Sequence, residues 1–134
     1  MTTSIPESHR DLLKADVGVL ATNGPDGFPQ VTATWFLLDD DGLIKISLNT
    51  ARQKVKNLRA NPNCTFFILD PASPYRTLEI RARAELTDDP DYAFADKVGR
   101  KYNADLRNMD RPTDRRVVVT LTPAEANPRG SSSA

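Results

Sequence analysis

Apolar and polar side chains alternate most regularly in residues 75–86. A period of two places one set of side chains on each face of an extended chain, so this segment predicts a half-buried β-strand. Shorter alternating or apolar segments predict five further strands, at residues 17–22, 29–38, 43–49, 64–69 and 116–122. The segment 64–69 is apolar enough to predict a strand that is buried on both faces.

Three other segments have the spacing of amphipathic helices. They cover residues 6–15, 51–60 and 88–102. The pair Asn61-Pro62 ends the second helix, because the residue before a proline disfavours the helical conformation. Pro90 stands early in the third helix, where a proline is well tolerated. Turn-forming residues between the strands, such as the Asp-Asp-Asp-Gly of residues 39–42, predict hairpins.

Six strands joined mostly by hairpins, with three helices, predict a mainly β fold of the α+β class. The expected architecture is a six-stranded antiparallel sheet that is closed, or nearly closed, into a barrel with flanking helices. A single domain is expected for residues 1–123. Residues 124–134 end in Gly-Ser-Ser-Ser-Ala and are expected to form a flexible C-terminal tail.

Composition narrows the classes of function. The chain of 134 residues carries 18 Lys and Arg and 18 Asp and Glu, so its formal net charge is zero. Neutrality argues against a nucleic-acid or membrane partner. No apolar run approaches the ~18 residues that span a bilayer. The N-terminus lacks the apolar core of a signal peptide, so a cytoplasmic location is expected.

Cysteine and histidine each occur once in the chain. A single Cys excludes an internal disulfide, and the two residues together are too few for a zinc site, which takes about four N or S ligands. His9 is expected to be a solvent-facing helix residue, and Cys64 a small core residue. Because no His-based relay is convincing, any difficult chemistry is expected to come from a cofactor.

Residues 42–69 carry five basic residues and no acidic residue. Thr50 and Gln53 have the spacing of a capping box, which predicts a helix that starts at Thr50. Arg52 and Lys54 then lie in its first turn, where the helix dipole is already positive. Free amides and two cations at one point predict an anion site, most naturally for a phosphate. The alternative is a solvated basic surface. The chain has neither a Gly-rich dinucleotide loop nor a P-loop.

Several short motifs occur in the order found in a known family. They are Gly-Val-Leu-Ala-Thr (18–22), Pro-Asp-Gly-x-Pro-Gln-Val-Thr (25–32), Trp-Phe (35–36), Ile-Ser (46–47), Thr-x-Arg-x-Lys-x-x-Asn-Leu (50–58), Asn-Pro (61–62) and Asp-Pro (70–71). With a weaker echo at residues 115–119, they resemble the pyridoxamine-phosphate-oxidase-like split β-barrels. The branch that the chain resembles most uses the deazaflavin coenzyme F420 in place of FMN. Members commonly have Gly where this chain has Ala82, and the extra methyl could crowd a neighbouring strand or the cofactor.

The resemblance implies a split barrel that forms a homodimer with two cofactor sites at the interface. It implies that Arg52 and Lys54 hold the cofactor phosphate, in agreement with the anion site predicted from charge. It also implies that Gln30, Thr32 and Ser47 line the ring of the cofactor. The full set of predicted cofactor-binding residues is Gln30, Thr32, Ser47, Thr50, Arg52, Lys54, Asn57 and Tyr75.

Two members of this set have less direct roles. Asn57 is expected to support the phosphate loop, and Tyr75 to pack near the ring. Each residue taken alone also has a structural interpretation, such as the wet face of a strand or a loop anchor. Trp35 and Phe36 are expected to pack in the barrel or in a dimer core rather than contact the cofactor.

The resemblance implies an F420-dependent oxidoreductase, in which the reduced cofactor gives a hydride to an electron-poor conjugated small molecule. No side chain stands out as a catalytic proton donor, so solvent is expected to protonate the product. Lys56 and Arg59 extend the positive charge beyond the phosphate site, which favours the oligoglutamate tail of F420, although they could equally solvate the helix face.

Three alternatives remain open. One is an FMN-dependent oxidase or reductase of the same fold. The second is a non-catalytic flavin or deazaflavin carrier. The third, a barrel that binds single-stranded nucleic acid, fits least, because the basic segment contains only Phe66 and Phe67 as aromatics.

Overall fold

Seven antiparallel strands form one curled sheet in the computed structural model, which describes residues 4–131. The strands are β1 (Gly18–Asn23), β2 (Pro29–Thr34), β3 (Leu37–Leu38), β4 (Ile44–Asn49), β5 (Asn63–Asp70), β6 (Ser73–Asp88) and β7 (Arg116–Arg129). Two α-helices, α1 (Gln53–Ala60) and α2 (Ala93–Tyr102), and two 3-10 helices, Glu7–Lys14 and Leu106–Met109, flank the sheet. The strand order is β2-β1-β5-β6-β7-β4-β3. The predicted mainly β, split-barrel architecture is therefore confirmed.

The sheet has seven strands rather than the expected six, because the predicted strand 29–38 divides at Trp35 and Phe36. Two residues of α2 form hydrogen bonds with the backbone of Phe36 at this point. The Tyr102 hydroxyl oxygen accepts a hydrogen bond from Phe36 N at 3.0 Å, and Lys101 Nζ donates to Phe36 O at 2.7 Å. With both backbone groups bound to α2, Phe36 cannot pair in a ladder, and the chain crosses from one edge strand to the other.

The core lies inside the curl of the sheet. Phe36 and Phe66 are fully buried there and meet edge to face, with ring centroids 5.0 Å apart. Cys64 is buried among these apolar side chains, as predicted, and burial raises the pKa of its thiol to about 11. The expectation that residues 64–69 are buried on both faces is wrong, because alternate residues point away from the core and Leu69 is 41% exposed.

Both α-helices begin later than their sequence patterns predict. Helix α1 begins at Gln53 with Arg52 as its N-cap, and no side chain caps it. The predicted capping box does not form, because the Gln53 side chain donates to Asn57 Oδ1 and Thr50 N donates to Arg115 O. Lys54 nevertheless stays in the first turn, so the predicted conflict between cations and helix dipole remains.

Helix α2 was expected to open at residue 88 but begins at Ala93. The buried carboxylate of Asp89 accepts hydrogen bonds from Phe94 N and Ala95 N, at 3.2 and 2.9 Å. Asp89 thus caps the helix from outside it, and Tyr92, with φ of 60°, turns the chain into the helix.

Residues 124–129 belong to β7, so the expected tail is wrong there. The 16-residue β6 supplies a partner over this length, and Thr77 pairs with Arg129 at its far end. Residues 132–134 of that expected tail lie outside the described part of the chain.

The N-terminal 3-10 helix packs against the end of β7 through His9. This residue is only 4% exposed, so its expected solvent-facing position is wrong. Its Nε2 donates to Arg129 O at 2.9 Å, and its Nδ1 lies 2.8 Å from Ser8 Oγ. No helix within residues 4–131 has the length and apolar character needed to cross a membrane.

Candidate functional site

A cavity of about 640 Å³ opens between the edge of the barrel, the N-terminus of α1 and the second 3-10 helix. We call it the candidate cavity. It brings together five of the eight predicted cofactor-binding residues, which come from three different elements. They are Gln30, Thr32, Ser47, Arg52 and Lys54.

One end of the candidate cavity is cationic. Lys54 Nζ donates to Thr32 Oγ1 at 2.9 Å, and within residues 4–131 neither Lys54 nor Arg52 pairs with a carboxylate. Burial, and then the neighbouring charge of Arg52, lower the pKa of Lys54. Two cations held together without an acid strengthen the case for an anion-binding role, since an anion would relieve both the desolvation and the repulsion.

Asn57 lies beneath this end and is buried, so it does not line the cavity. Its Nδ2 donates to Thr22 Oγ1 at 3.0 Å and to Gln30 Oε1 at 3.3 Å, while its Oδ1 accepts from Gln53 Nε2 at 2.9 Å. These bonds tie α1 to β1 and β2 and fix the orientation of the Gln30 amide. A supporting position of this kind is compatible with the predicted role.

The polar wall of the cavity contains a network that the sequence did not reveal. Arg116 Nη1 donates to Ser47 Oγ at 3.2 Å, and its other nitrogens donate to Asp110 at 2.8 and 2.9 Å. Asp110 also accepts from Tyr92 and Asn49. Hydrogen bonds from Arg116 above all lower the pKa of Asp110 to about 2. Because Ser47 Oγ accepts from a guanidinium, its O–H is left to donate elsewhere.

The opposite end of the candidate cavity is apolar. Val17, Trp35 and Met109 line it and are 50%, 36% and 57% exposed. Phe36 packs in the barrel core as expected, but Trp35 does not lie in that core. Its indole lies on the cavity wall, stacked on Tyr102. The hydrogen bonds from α2 to the backbone of Phe36 turn this adjacent side chain outward.

Thr50 and Tyr75 do not line the candidate cavity. Thr50 lies in the turn before α1, where its amide bonds Arg115 O. Tyr75 projects from the start of β6 and is 92% exposed. Contacts between these two residues and a cofactor remain predictions.

The sequence alone did not predict that Arg116, Asp110 and the apolar side chains belong to the cavity. Arg116 lies in the weak family echo at residues 115–119, which was the one available signal. Asp110 and Met109 lie in the segment 103–114, which has no periodic pattern, so only the fold could bring them to the site.

A larger hollow of about 1140 Å³ is lined mainly by residues of β1, β5, β6 and β7. Two acidic and two basic side chains line it, Glu79, Arg81, Arg83 and Glu85, and Arg81 pairs with Glu79 and Glu125 at 3.5 and 3.2 Å. The acidic side chains of this hollow would repel a phosphate, whereas no Asp or Glu among residues 4–131 lines the smaller cavity, so the smaller cavity is the better candidate site. Ala82 lines this hollow rather than the candidate cavity.

The family model described as pyridoxamine 5'-phosphate oxidase matches residues 5–129. The chain belongs to this family. Among solved structures, a protein named F420 reductase is similar at 37% identity and a TM-score of 0.80, over 92% of this chain and 98% of that one. None of the curated proteins compared matches the chain.

Two more distant structures show the fold of the family alone. A conserved hypothetical protein from Mycobacterium tuberculosis has 24% identity and a TM-score of 0.74, over 95% of this chain and 89% of that one. The heme storage protein HutZ from Vibrio cholerae has 17% identity and a TM-score of 0.72, over 96% and 97% of the two chains. The fold alone therefore does not identify the function of this chain, which has to be argued from the candidate cavity.

Proposed function

We propose that this protein is an F420-dependent oxidoreductase that transfers a hydride from the reduced deazaflavin to an electron-poor conjugated small molecule. The observation that carries the proposal is the pair Arg52 and Lys54, which stand at the cavity without a carboxylate partner among residues 4–131. The likeness to a protein named F420 reductase supports the choice of cofactor.

In this proposal Arg52 and Lys54 hold the phosphate of the cofactor. Gln30, Thr32 and Ser47 present polar atoms to its ring. F420 supplies the hydride chemistry, while the protein orients the ring and excludes water. The Tyr102 hydroxyl is not a free proton donor. Its oxygen accepts a hydrogen bond from Phe36 N, and its O–H has two carbonyl acceptors, Asp16 O at 2.7 Å and Phe36 O at 2.9 Å. We propose that solvent protonates the product.

We propose a homodimer as the working form. Tyr75 lies outside the candidate cavity of its own subunit, so its predicted contact with a ring requires a cavity across an interface. Thr50 would act through the turn that sets the start of α1.

FMN is the alternative cofactor, since it also carries a phosphate and a flat ring. Lys56 and Arg59 are exposed on α1, further along the helix than Arg52 and Lys54. The carboxylates of the F420 tail would meet this positive charge, whereas FMN ends at its phosphate. Exposed ion pairs contribute only about 0–1 kcal/mol each and are screened by salt. A preference for F420 that comes from these cations should therefore shrink at high ionic strength.

The experiment that tests the proposal has two parts. Affinities for F420 and FMN are measured at low and high salt by the absorbance and fluorescence of each cofactor. Reoxidation of reduced F420 is then followed under anaerobic conditions in the presence of a cyclic enone or an unsaturated lactone. Tighter binding of FMN at both salt concentrations would move the protein to the FMN alternative. Binding of F420 without turnover on any acceptor would identify a carrier.

Haem binding, suggested by the name of a distant structural neighbour, has less support from this chain. A haem needs an axial ligand, most often His. His9 is the only His of the chain, and it is buried away from the candidate cavity with both ring nitrogens within hydrogen-bond distance of Ser8 and Arg129.

A further inference from the structure

The apolar end of the candidate cavity presents one flat aromatic surface. The rings of Trp35 and Tyr102 are stacked with centroids 4.3 Å apart and planes 5° from parallel. Tyr102 covers one face of the indole, and no other ring within residues 4–131 stacks on it. Trp35 lines the cavity and keeps 36% of its surface exposed.

The stack is held rigidly from behind. The Tyr102 hydroxyl bonds the backbone of Phe36 and of Asp16. Lys101 Nζ donates to the Ala15 and Phe36 carbonyl oxygens at 2.8 and 2.7 Å and lies 4.3 Å from the centre of the Phe36 ring. Both residues on α2 therefore fix the backbone next to Trp35. A preorganised ring loses little entropy when a second ring binds to it.

We propose that the Trp35–Tyr102 stack is a binding surface for a flat, electron-poor conjugated ring. The face of an indole carries partial negative charge, so it attracts an electron-poor ring more strongly than a saturated one. Val17 and Met109 line the same cavity and would contact the edge of the bound ring. The polarisable sulfur of Met109 suits such a contact.

Two rings are candidates for this surface. Trp35 is three residues beyond Thr32, the partner of Lys54, which corresponds to roughly 10 Å along an extended chain. This is the order of length of a phosphorylated sugar-alcohol arm, so either the cofactor ring or a substrate ring beside it could stack on Trp35. The location of the phosphate at Lys54 is the only part of this inference that rests on the proposed function.

Trp35 is the only tryptophan of the chain, so intrinsic tryptophan fluorescence reports on this surface alone. The wild-type protein is titrated with F420, FMN, menadione and trans-1-decalone, with correction for ligand absorbance. Menadione is a flat electron-poor ring system without phosphate, and the decalone is a saturated bicyclic ketone. Saturable quenching by the flat probes and none by the decalone is the expected result.

The variants Trp35→Leu and Trp35→Phe separate stacking from bulk. Binding is followed by cofactor fluorescence, and by equilibrium dialysis for menadione. Trp35→Leu should weaken the flat ligands about 3- to 10-fold, whereas Trp35→Phe should stay within about 2-fold of wild type. Phe28→Leu is the matched control, because Phe28 is 74% exposed and lies outside the cavity.

The pattern of losses identifies the ring. A loss for F420 and FMN but not menadione assigns the surface to the cofactor, and a loss for menadione assigns it to the substrate. If no flat probe quenches saturably, or if Trp35→Leu leaves every affinity unchanged, the inference is overturned. Menadione binding that depends on Trp35 in a protein that binds no F420 would reject the proposed function and leave this surface in place.

Discussion

Arg116 and Asp110 form a two-bond ion pair directly behind Ser47, with Nε–Oδ2 and Nη2–Oδ1 distances of 2.8 and 2.9 Å. Their side chains are only 9% and 3% exposed. The pair joins the start of β7 to the loop after the second 3-10 helix, and it sets the hydrogen-bonding state of a residue on the cavity wall. Stability and site geometry are therefore coupled here.

We expect Asp110→Ala to lower the free energy of unfolding by about 3–5 kcal/mol, because it leaves the guanidinium of Arg116 buried without its anion. Urea unfolding followed by circular dichroism measures this change. Asp88→Ala is the control, since Asp88 is exposed and should change stability by less than about 0.5 kcal/mol. Equal effects of the two variants would contradict a structural role for the pair.

Acid should destabilise the protein through the same carboxyl. The pKa of Asp110 is lowered from 3.8 to about 2 in the folded state, chiefly by hydrogen bonds from Arg116. A carboxyl with a depressed folded pKa stabilises the fold above its unfolded pKa, and this contribution is lost as the pH falls through the folded value. The free energy of unfolding should therefore fall between about pH 4 and pH 2, and less steeply in Asp110→Asn. Parallel pH curves for variant and wild type would show that other groups are responsible.

Substitution of either cation should weaken cofactor binding without unfolding the protein. Arg52→Ala and Lys54→Ala should each cost about 1.5–3 kcal/mol of binding free energy, the contribution of a charge-assisted hydrogen bond. Lys56→Ala is the matched comparison for FMN, because Lys56 is an exposed cation on the same helix that does not line the cavity. Cofactor fluorescence gives the affinities. Unchanged affinity in both of the first two variants would remove the phosphate site.

Cofactor affinity should also decline on the alkaline side. Burial, with the charge of Arg52, lowers the pKa of Lys54 below its ordinary 10.5, so in the free protein its ammonium loses its proton earlier than an ordinary lysine. Affinity for FMN, measured from about pH 7 to pH 10, should fall with rising pH in the wild type. Lys54→Arg keeps its charge over this range and should show a flatter curve. A wild-type curve as flat as that of the variant would assign the anion contact to Arg52 alone.

We predict a homodimer in solution. Phe36 and Phe66 are buried in the core. Other apolar side chains remain on the outer face of β2 and β5, where Val31 is 60% and Leu69 is 41% exposed. Light scattering at micromolar concentration should give twice the 14.8 kDa of one chain. The double variant Val31→Lys, Leu69→Lys should dissociate the dimer, whereas Asn108→Lys, at an exposed position of the second 3-10 helix, should not. A wild-type mass of one chain would refute the prediction.

The candidate site was predictable where its residues lie in regular elements. Thr32 and Ser47 lie on strands whose alternation is visible in the sequence, and Lys54 lies in the first turn of a visible helix. The position of Trp35 on the cavity wall was not predictable, because alternation along residues 29–38 gives no sign that Tyr102 binds the backbone of Phe36, 66 residues before it, and interrupts the strand. His9 was misplaced for a similar reason, since its partner Arg129 is 120 residues distant.

The sequence by itself determined the local structure: the period-two strands, the helix with basic residues in its first turn, and the absence of acid from residues 42–69. These features depend on neighbours a few residues apart, whose spacing the backbone fixes. Tertiary structure decided which distant groups meet. It paired residues 124–129 with the long β6, set Arg116 and Asp110 behind Ser47, and turned Trp35 into the cavity. Such contacts depend on how the sheet curls and on which buried polar groups need hydrogen-bond partners. No single segment of the chain determines either of these.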